Sequence, residues 1–349
     1  MSYGFGIVGL GLIADFHAKA IQAISGGKGR LVACCSRSAE KARKFAETYG
    51  CDGFSDLSEF LAHPELDIIS ICSPSGAHLD TALAAAGKGK HVIVEKPLEV
   101  TEKRCDKIIE ACDKAKVRLA GIFQSRFSEV AGLVKRTVDQ GRFGTLVLGD
   151  AYVKWFRSQK YYDEGGWHGT QALDGGGALI NQSIHAIDLL QWFMGPVDSV
   201  QAFTGTIGHQ RIEVEDNAVA ALRFRNGAFG VIEGSTSVYP GFLKRIEISG
   251  TKGSVVLEEE TLKTWEFAES SPEDEEIRKK FGAGAQTKGG AADPAAISFQ
   301  GHRRQFEDFI GALDEGRPPL VDGREAKKSV EIIRAIYASS NKGKPVRLG

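Results

Sequence analysis

The chain has no Cys-x-x-Cys pair, no long apolar run and almost no net charge, and each absence excludes a class of function. Its six cysteines stand at 34, 35, 51, 72, 105 and 112, several of them inside apolar runs. That distribution predicts buried, reduced thiols in a cytoplasmic protein, not a disulfide framework or a cysteine zinc site. No grouping of Asp, Glu and His has metal-ligand spacing, so no metal is expected. With 44 Lys and Arg against 45 Asp and Glu the formal charge is -1, and no global field favours nucleic acid or an anionic membrane. The basic residues Lys327, Lys328 and 342–347 read as solvated faces. No apolar stretch approaches the roughly 18 residues that span a bilayer. Met1 leads almost at once into a strand-like segment, which leaves no room for a signal peptide. No internal repeat is present.

What remains is the make-up of a soluble two-domain protein, with 349 residues, 42% hydrophobic and 26% charged. The first third alternates short apolar runs (5–8, 30–35, 67–72, 91–94, 117–122) with helical patterns (13–24, 39–49, 57–62, 77–88, 101–116). This alternation predicts a parallel, doubly wound sheet. After Gln124 the pattern changes. A helix at 129–140 precedes strands at 145–157, 197–206, 217–224, 228–237, 243–249 and 254–257, separated by hairpin turns such as Arg225-Asn226-Gly227. Helices at 303–314 and 325–341 close the chain. The stretch 270–294, rich in Gly, Ala and charge, reads as a loop or lid with some disorder.

Gly9-Leu10-Gly11-Leu12-Ile13-Ala14 follows the first strand and opens the first helix, as a dinucleotide fingerprint does. Gly9 permits the tight turn and Gly11 lets the backbone approach a pyrophosphate. Ala14 allows close packing, and the N–H groups around Leu12 and Ile13 face the anion. An NAD-selective site usually places a carboxylate after the second strand for the ribose 2′-hydroxyl. Here Cys35-Ser36-Arg37-Ser38 stands instead, with Lys41 one turn on. Ser36, Arg37 and Lys41 suit a 2′-phosphate, so NADP(H) is preferred and NAD(H) is the alternative. Ser38 also suits the cap of the next helix. Ser73 and Pro74 lie at the same carboxyl edge and line the nicotinamide-ribose side; His78 is either a further contact or a first-turn helix residue.

The fifth strand ends in Glu95-Lys96-Pro97. Pro97 biases Lys96 toward an extended backbone at the sheet edge where ligands bind. A lysine partly desolvated there exchanges a proton near neutral pH. Read alone, it is equally an ordinary surface lysine. A second signal runs from Asp174 through Gly175-Gly176-Gly177 to Asp188. Ile180, Ile184 and Ile187 form an apolar stripe at helical spacing. Asn181, His185 and Asp188 repeat that spacing one residue along, as the wall of a pocket would. A capped, partly exposed helix with a satisfied histidine is the plain alternative.

Taken together, these segments resemble the Gfo/Idh/MocA oxidoreductase family. The resemblance rests on Gly9-x-Gly11-x-x-Ala14, Ser73-Pro74-Ser75-x-x-His78, Gly89-Lys90-His91-Val92 through Glu95-Lys96-Pro97, Arg126-Phe127, and 175–188, in order along nearly the whole chain. It implies a Rossmann domain at 1–123, with a doubly wound parallel sheet. An α/β domain with an open, mostly antiparallel sheet would follow at 124–349, its closing helices free to pack back on the first domain. Such a sheet often mediates homo-dimers or homo-tetramers. The implied activity is hydride transfer between a nicotinamide and a carbinol or ketone carbon of a sugar, polyol or sugar derivative.

By the same resemblance Lys96 and His185 are catalytic, with Asn181 beside them as the third catalytic position, and Glu95 and Lys96 join the cofactor positions. Most members carry an aspartate four residues before the histidine; this chain has Asn181, which orients groups but takes up no proton. Proton transfer therefore shifts to Lys96 and His185. Asn181-Gln182 is similar to the sugar-nucleotide dehydrogenase branch, and His168 stands where relatives often have arginine. Substrate candidates are Lys96, Tyr161, Tyr162, Trp167, His168, Asn181, Gln182 and His185. Two other readings stay open: a lyase or hydrolase that uses bound NAD(H) transiently, and a cofactor-sensing regulator without turnover.

Overall fold

The computed structural model describes residues 2–164, 166–282 and 298–349. The chain divides into two units, Met1–Gln124 with Ser298–Val330, and Ser125–Ile297 with Glu331–Gly349. The first unit opens with β1 (Tyr3–Val8), α1 (Leu12–Gln22), β2 (Gly29–Cys35), α2 (Ala39–Tyr49), β3 (Asp52–Phe54) and α3 (Leu57–Leu61). It continues through β4 (Ile68–Ile71), α4 (His78–Gly87), β5 (His91–Val94), α5 (Glu102–Ala115) and β6 (Leu119–Gly121). The strands form one parallel sheet in the order β3-β2-β1-β4-β5-β6. Strand β4 is buried throughout and β5 nearly so, as a sheet covered on both faces demands. The short edge strand β3 escapes a reading by pattern because its Asp52-Gly53 looks like a turn.

The second unit runs through α6 (Glu129–Asp139), β7 (Leu146–Lys154) and α7 (Gln159–Glu164) to a π-helical turn, Ala178–Ser183, which leads into α8 (Ile184–Met194). Then come β8 (Val197–Gly205), β9 (Asn217–Phe224), β10 (Phe229–Ser235), β11 (Arg245–Gly250), β12 (Gly253–Glu258), β13 (Thr261–Phe267) and α9 (Pro272–Phe281). Residues 270–294 are therefore not loop throughout. Ser271 caps α9, Pro272 opens it, and Asp274 returns a carboxylate to the Ser271 N–H. With Asp274 its only buried residue, α9 lacks the apolar stripe that reveals a helix in sequence. The remainder of that stretch, 283–294, lies outside the described residues.

The chain closes with α10 (Gln300–Glu315), α11 (Gly323–Lys342) and β14 (Val346–Arg347). The second sheet has the order β13-β12-β11-β7-β10-β9-β8-β14, with every pair antiparallel except β7 with β10. In β9, Ala218, Ala220, Leu222 and Phe224 are buried while Val219, Ala221 and Arg223 are exposed, so one face of the sheet carries the core.

Helix α10 belongs to the first unit. Its Phe306, Phe309 and Ile310 share a core cluster with Phe5, Ile7, Ala14 and Ile21. The Gln305 side chain accepts from the Phe123 N–H (3.1 Å) and donates to the Gly121 carbonyl (2.7 Å). The Gly121 N–H in turn reaches the Val321 carbonyl. The open edge of β6 is thus closed by chain from far downstream, and the second unit is not the continuous run 124–349. Among the described residues no helix is long and apolar enough to cross a membrane.

Candidate active site

The nucleotide half is built at the carboxyl ends of β1, β2, β4 and β5. Gly9 has φ +89°, and a Cβ there would come within 2.5 Å of the Ser73 nitrogen, so only glycine fits between the two strand ends. A Cβ on Gly11 would meet nothing within 4 Å. Helix α1 starts there without a side-chain cap, so its leading N–H groups receive no side-chain acceptor. A dinucleotide pyrophosphate fits that cradle. Past β2, Ser38 caps α2 by accepting the Lys41 N–H, and Ser36 accepts the Ser38 N–H. Arg37 and Lys41 are exposed, and the one carboxylate among these residues, Glu40, pairs with Lys44.

Beneath this edge lies a buried polar floor. Glu95 accepts from His17 Nε2 at 2.7 Å and from the Lys96 N–H at 3.0 Å. His17 Nδ1 lies 2.7 Å from the Ser70 hydroxyl. Burial opposes the charge on Glu95, but the hydrogen bond from His17 and the nearby His302 imidazole hold its carboxyl well below the usual range. Burial lowers the pKa of His17 despite Glu95. The network therefore assigns an ionised Glu95, a neutral His17 donating through Nε2, and a Ser70 hydroxyl donating to Nδ1.

His17, Glu95 and His302 could in principle hold a metal ion. The 2.7 Å between His17 and Glu95 is, however, a hydrogen bond. Two ligands of one tetrahedral zinc would stand about 3.3 Å apart. His78, also buried, faces the carbonyls of Pro97 (3.0 Å) and Ser73 (2.9 Å), so it ties the Ser73-Pro74 segment to the turn after Lys96. Burial pushes His78 toward its neutral form, which satisfies one carbonyl at a time. Lys96 itself is half-buried. Glu95 and His78 thus spend their polar atoms inside the domain, shaping this edge from below.

The second unit carries its own cluster of candidate residues. Gly177 lies so close to the segment leading into β9 that a Cβ would sit 1.9 Å from the Glu215 carbonyl. The Glu215 carboxylate accepts the Gly177 and Leu179 N–H groups and the Tyr337 hydroxyl, capping the π-helical turn. Asn181, Gln182 and His185 are half-buried on this segment, whereas Asp188 is fully buried. Asp188 receives Arg126 through two bonds of 2.7 Å, with Trp192 5.2 Å from the guanidinium. Asp188 therefore leaves the expected polar wall and locks α8 to the segment before α6.

Around Asn181 and Gln182 the expected substrate residues converge. Asn181 Nδ2 donates to Asp174 at 2.7 Å, and Gln182 Nε2 donates to the Tyr161 hydroxyl at 3.1 Å. Tyr161 stacks on His168 with centroids 4.4 Å apart, and the Trp167 ring lies tilted against the same histidine, centroids 4.0 Å apart. Tyr162 diverges from the rest. It is buried, with its hydroxyl on Thr236 and its ring against His209, and burial pushes its pKa up to about 12.

Sequence reasoning missed two members. Arg157 is buried, donates to Gln182 Oε1 at 2.9 Å and lies over Trp155 and Tyr161. Asp174 is buried beneath Asn181. The available signals were a charge set among aromatics at the end of a strand, and an acid seven residues before Asn181. Lys96 belongs to the first unit, and Asn181, Gln182 and His185 to the second.

Residues 3–123 match an oxidoreductase family with an NAD-binding Rossmann fold, and residues 133–256 match the GFO/IDH/MocA C-terminal domain. The chain is similar to the WlbA dehydrogenase of Bordetella pertussis, solved with NADH and UDP-GlcNAcA. That pair is 36% identical over 100% of this chain and 98% of that one, with a TM-score of 0.89. The WlbA structure from Chromobacterium violaceum, with the same two ligands, is 33% identical over 100% and 96%, with a TM-score of 0.88. Myo-inositol 2-dehydrogenase of Thermotoga maritima is 26% identical over 98% of each chain. With a glycine cradle fit for a dinucleotide, a helix-borne polar wall and these relatives along its full length, the chain belongs to the Gfo/Idh/MocA family of NAD-binding oxidoreductases.

Proposed function

We propose that this oxidoreductase acts on a nucleotide-linked sugar, exchanging a hydride between one of its carbinol carbons and the nicotinamide. The chain-long likeness to the WlbA dehydrogenases, solved with NADH and UDP-GlcNAcA, carries this reading. The nicotinamide supplies the hydride acceptor or donor. His185 takes the hydroxyl proton and Lys96 stabilises the developing alkoxide. The Tyr161 and Trp167 rings suit the apolar face of a sugar, and Asn181 orients a hydroxyl. Arg37 and Ser36 hold a 2′-phosphate, which makes NADP(H) the preferred cofactor. The open face of the second sheet joins copies of the chain into a homo-dimer or homo-tetramer. The six free thiols suit the reducing cytoplasm.

The test is absorbance of the reduced nicotinamide with UDP-GlcNAcA and a panel of nucleotide sugars, free sugars and inositols. Lys96→Ala and His185→Ala should each lower kcat about 100-fold or more, while the cofactor still binds by fluorescence titration. Turnover on inositols or free sugars alone would defeat the substrate class, and unchanged kcat in both variants would defeat the catalytic assignment.

A further inference from the structure

An amide has a donor end and an acceptor end, and its use to a substrate depends on which end faces out. At Asn181 that choice is made from behind. The Asp174 side chain is 1% exposed. One of its oxygens accepts Asn181 Nδ2 at 2.7 Å, and the other accepts the Gly169 N–H at 2.8 Å. Turning the amide over would set the Asn181 oxygen against a carboxylate oxygen at the same distance, acceptor against acceptor. The Asn181 carbonyl is therefore held on the side away from Asp174. The Gly169 bond ties the same carboxylate to the loop that carries Trp167 and His168.

We propose that Asp174 is a positioning residue for the reaction. It fixes the Asn181 carbonyl as a hydrogen-bond acceptor, so that the amide orients the substrate hydroxyl without exchanging its proton. The inference rests on the oxidoreductase reading above and adds the residue that gives Asn181 its direction. The negative charge of the pair lies on the buried partner, one side chain back from the substrate, and a single carboxylate sets both the amide and the aromatic loop.

Swapping the two side chains tests this. Asp174→Asn keeps the shape but lets either amide face either way. It should lower kcat about 10–100-fold, as a misoriented contact does, with cofactor binding unchanged. Asn181→Asp sets two carboxylates together and should lower kcat further. The double variant restores a donor facing an acceptor, with the charge moved outward. It should regain kcat well above either single variant and acquire a new acidic limb in its pH profile.

Wild-type kcat in Asp174→Asn would overturn the proposal. If a single variant fails to fold, the double variant decides: a folded double variant no faster than Asp174→Asn would also overturn it. A wild-type enzyme without turnover on any sugar would instead sink the functional reading itself.

Discussion

At the scale of single residues, the proposed preference for NADP(H) rests on Arg37. It is exposed beyond β2, where a carboxylate would favour NAD(H), and Glu40 is engaged with Lys44. The wild-type chain should show the higher kcat/KM with NADP(H). Arg37→Asp should reverse that order, because the new carboxylate repels a 2′-phosphate and accepts from a 2′-hydroxyl. Steady-state kinetics with both cofactors decide it; an unchanged ratio would remove Arg37 from the site. The glycine cradle, Lys96 and the Asn181-Gln182 pair were all legible in the sequence, since each depends on local chain geometry. Arg157 and Asp174 were not. Their positions become meaningful only when the strand end, the aromatic loop and the π-helical turn are folded together.

At the scale of elements, α1, β4, β5 and α4 are joined by buried histidines. Burial lowers His17 and His78 below the ordinary histidine value. As pH falls through about 6.5, the unfolded chain takes up protons that the folded one refuses, so stability declines. Glu95, held well below the usual carboxyl range, stabilises the fold above about pH 4.5 and loses that contribution only as pH falls further. Both effects weaken the fold in acid, in successive windows. Urea midpoints should therefore drop between pH 7.5 and 5.5, as about 1.4 kcal/mol accompanies each unit of pKa shift. His17→Gln should flatten part of the slope, and a midpoint constant across this range would show that these histidines titrate alike in both states.

The same scale explains what pattern reading lost. A helical wheel assumes 3.6 residues per turn, and the π-helical turn at Ala178–Ser183 departs from that. That turn shifts Asn181 relative to His185, whereas Asp188 follows His185 in the regular helix α8 and is drawn into the core by Arg126. Helix α9 was hidden for the opposite reason: its capping box and charges define it with almost no apolar face.

At the scale of the whole molecule, the second sheet leaves apolar side chains exposed on its outer face. Phe203 sits opposite Val219, and Phe229 opposite Arg223, with Phe203 79% and Phe229 52% exposed. Exposed apolar side chains gathered on one sheet face are a feature of association surfaces. Phe203→Glu with Phe229→Glu should shift the elution volume and light-scattering mass toward a monomer while leaving the circular dichroism spectrum intact. A wild-type chain already monomeric at micromolar concentration would contradict the proposed oligomer. Net charge, cysteine spacing and the βα alternation made the class and the first sheet readable from sequence. The return of 298–330 to the first unit was legible only as a freedom of the closing helices, because α10 looks like any amphipathic helix until its partner is known.

That return has a consequence for how the molecule comes into being. Strand β6 is completed by Gln305 and Val321, and the core around Phe5 is filled by Phe306 and Phe309. On the ribosome these residues emerge only after most of the second unit has been made, since synthesis proceeds from the N-terminus. The nucleotide half is begun first and finished last. Until α10 arrives, its edge strand and part of its apolar interior stand open to water and to chaperones, and no partial chain ending near Gln124 presents a sealed nucleotide-binding domain.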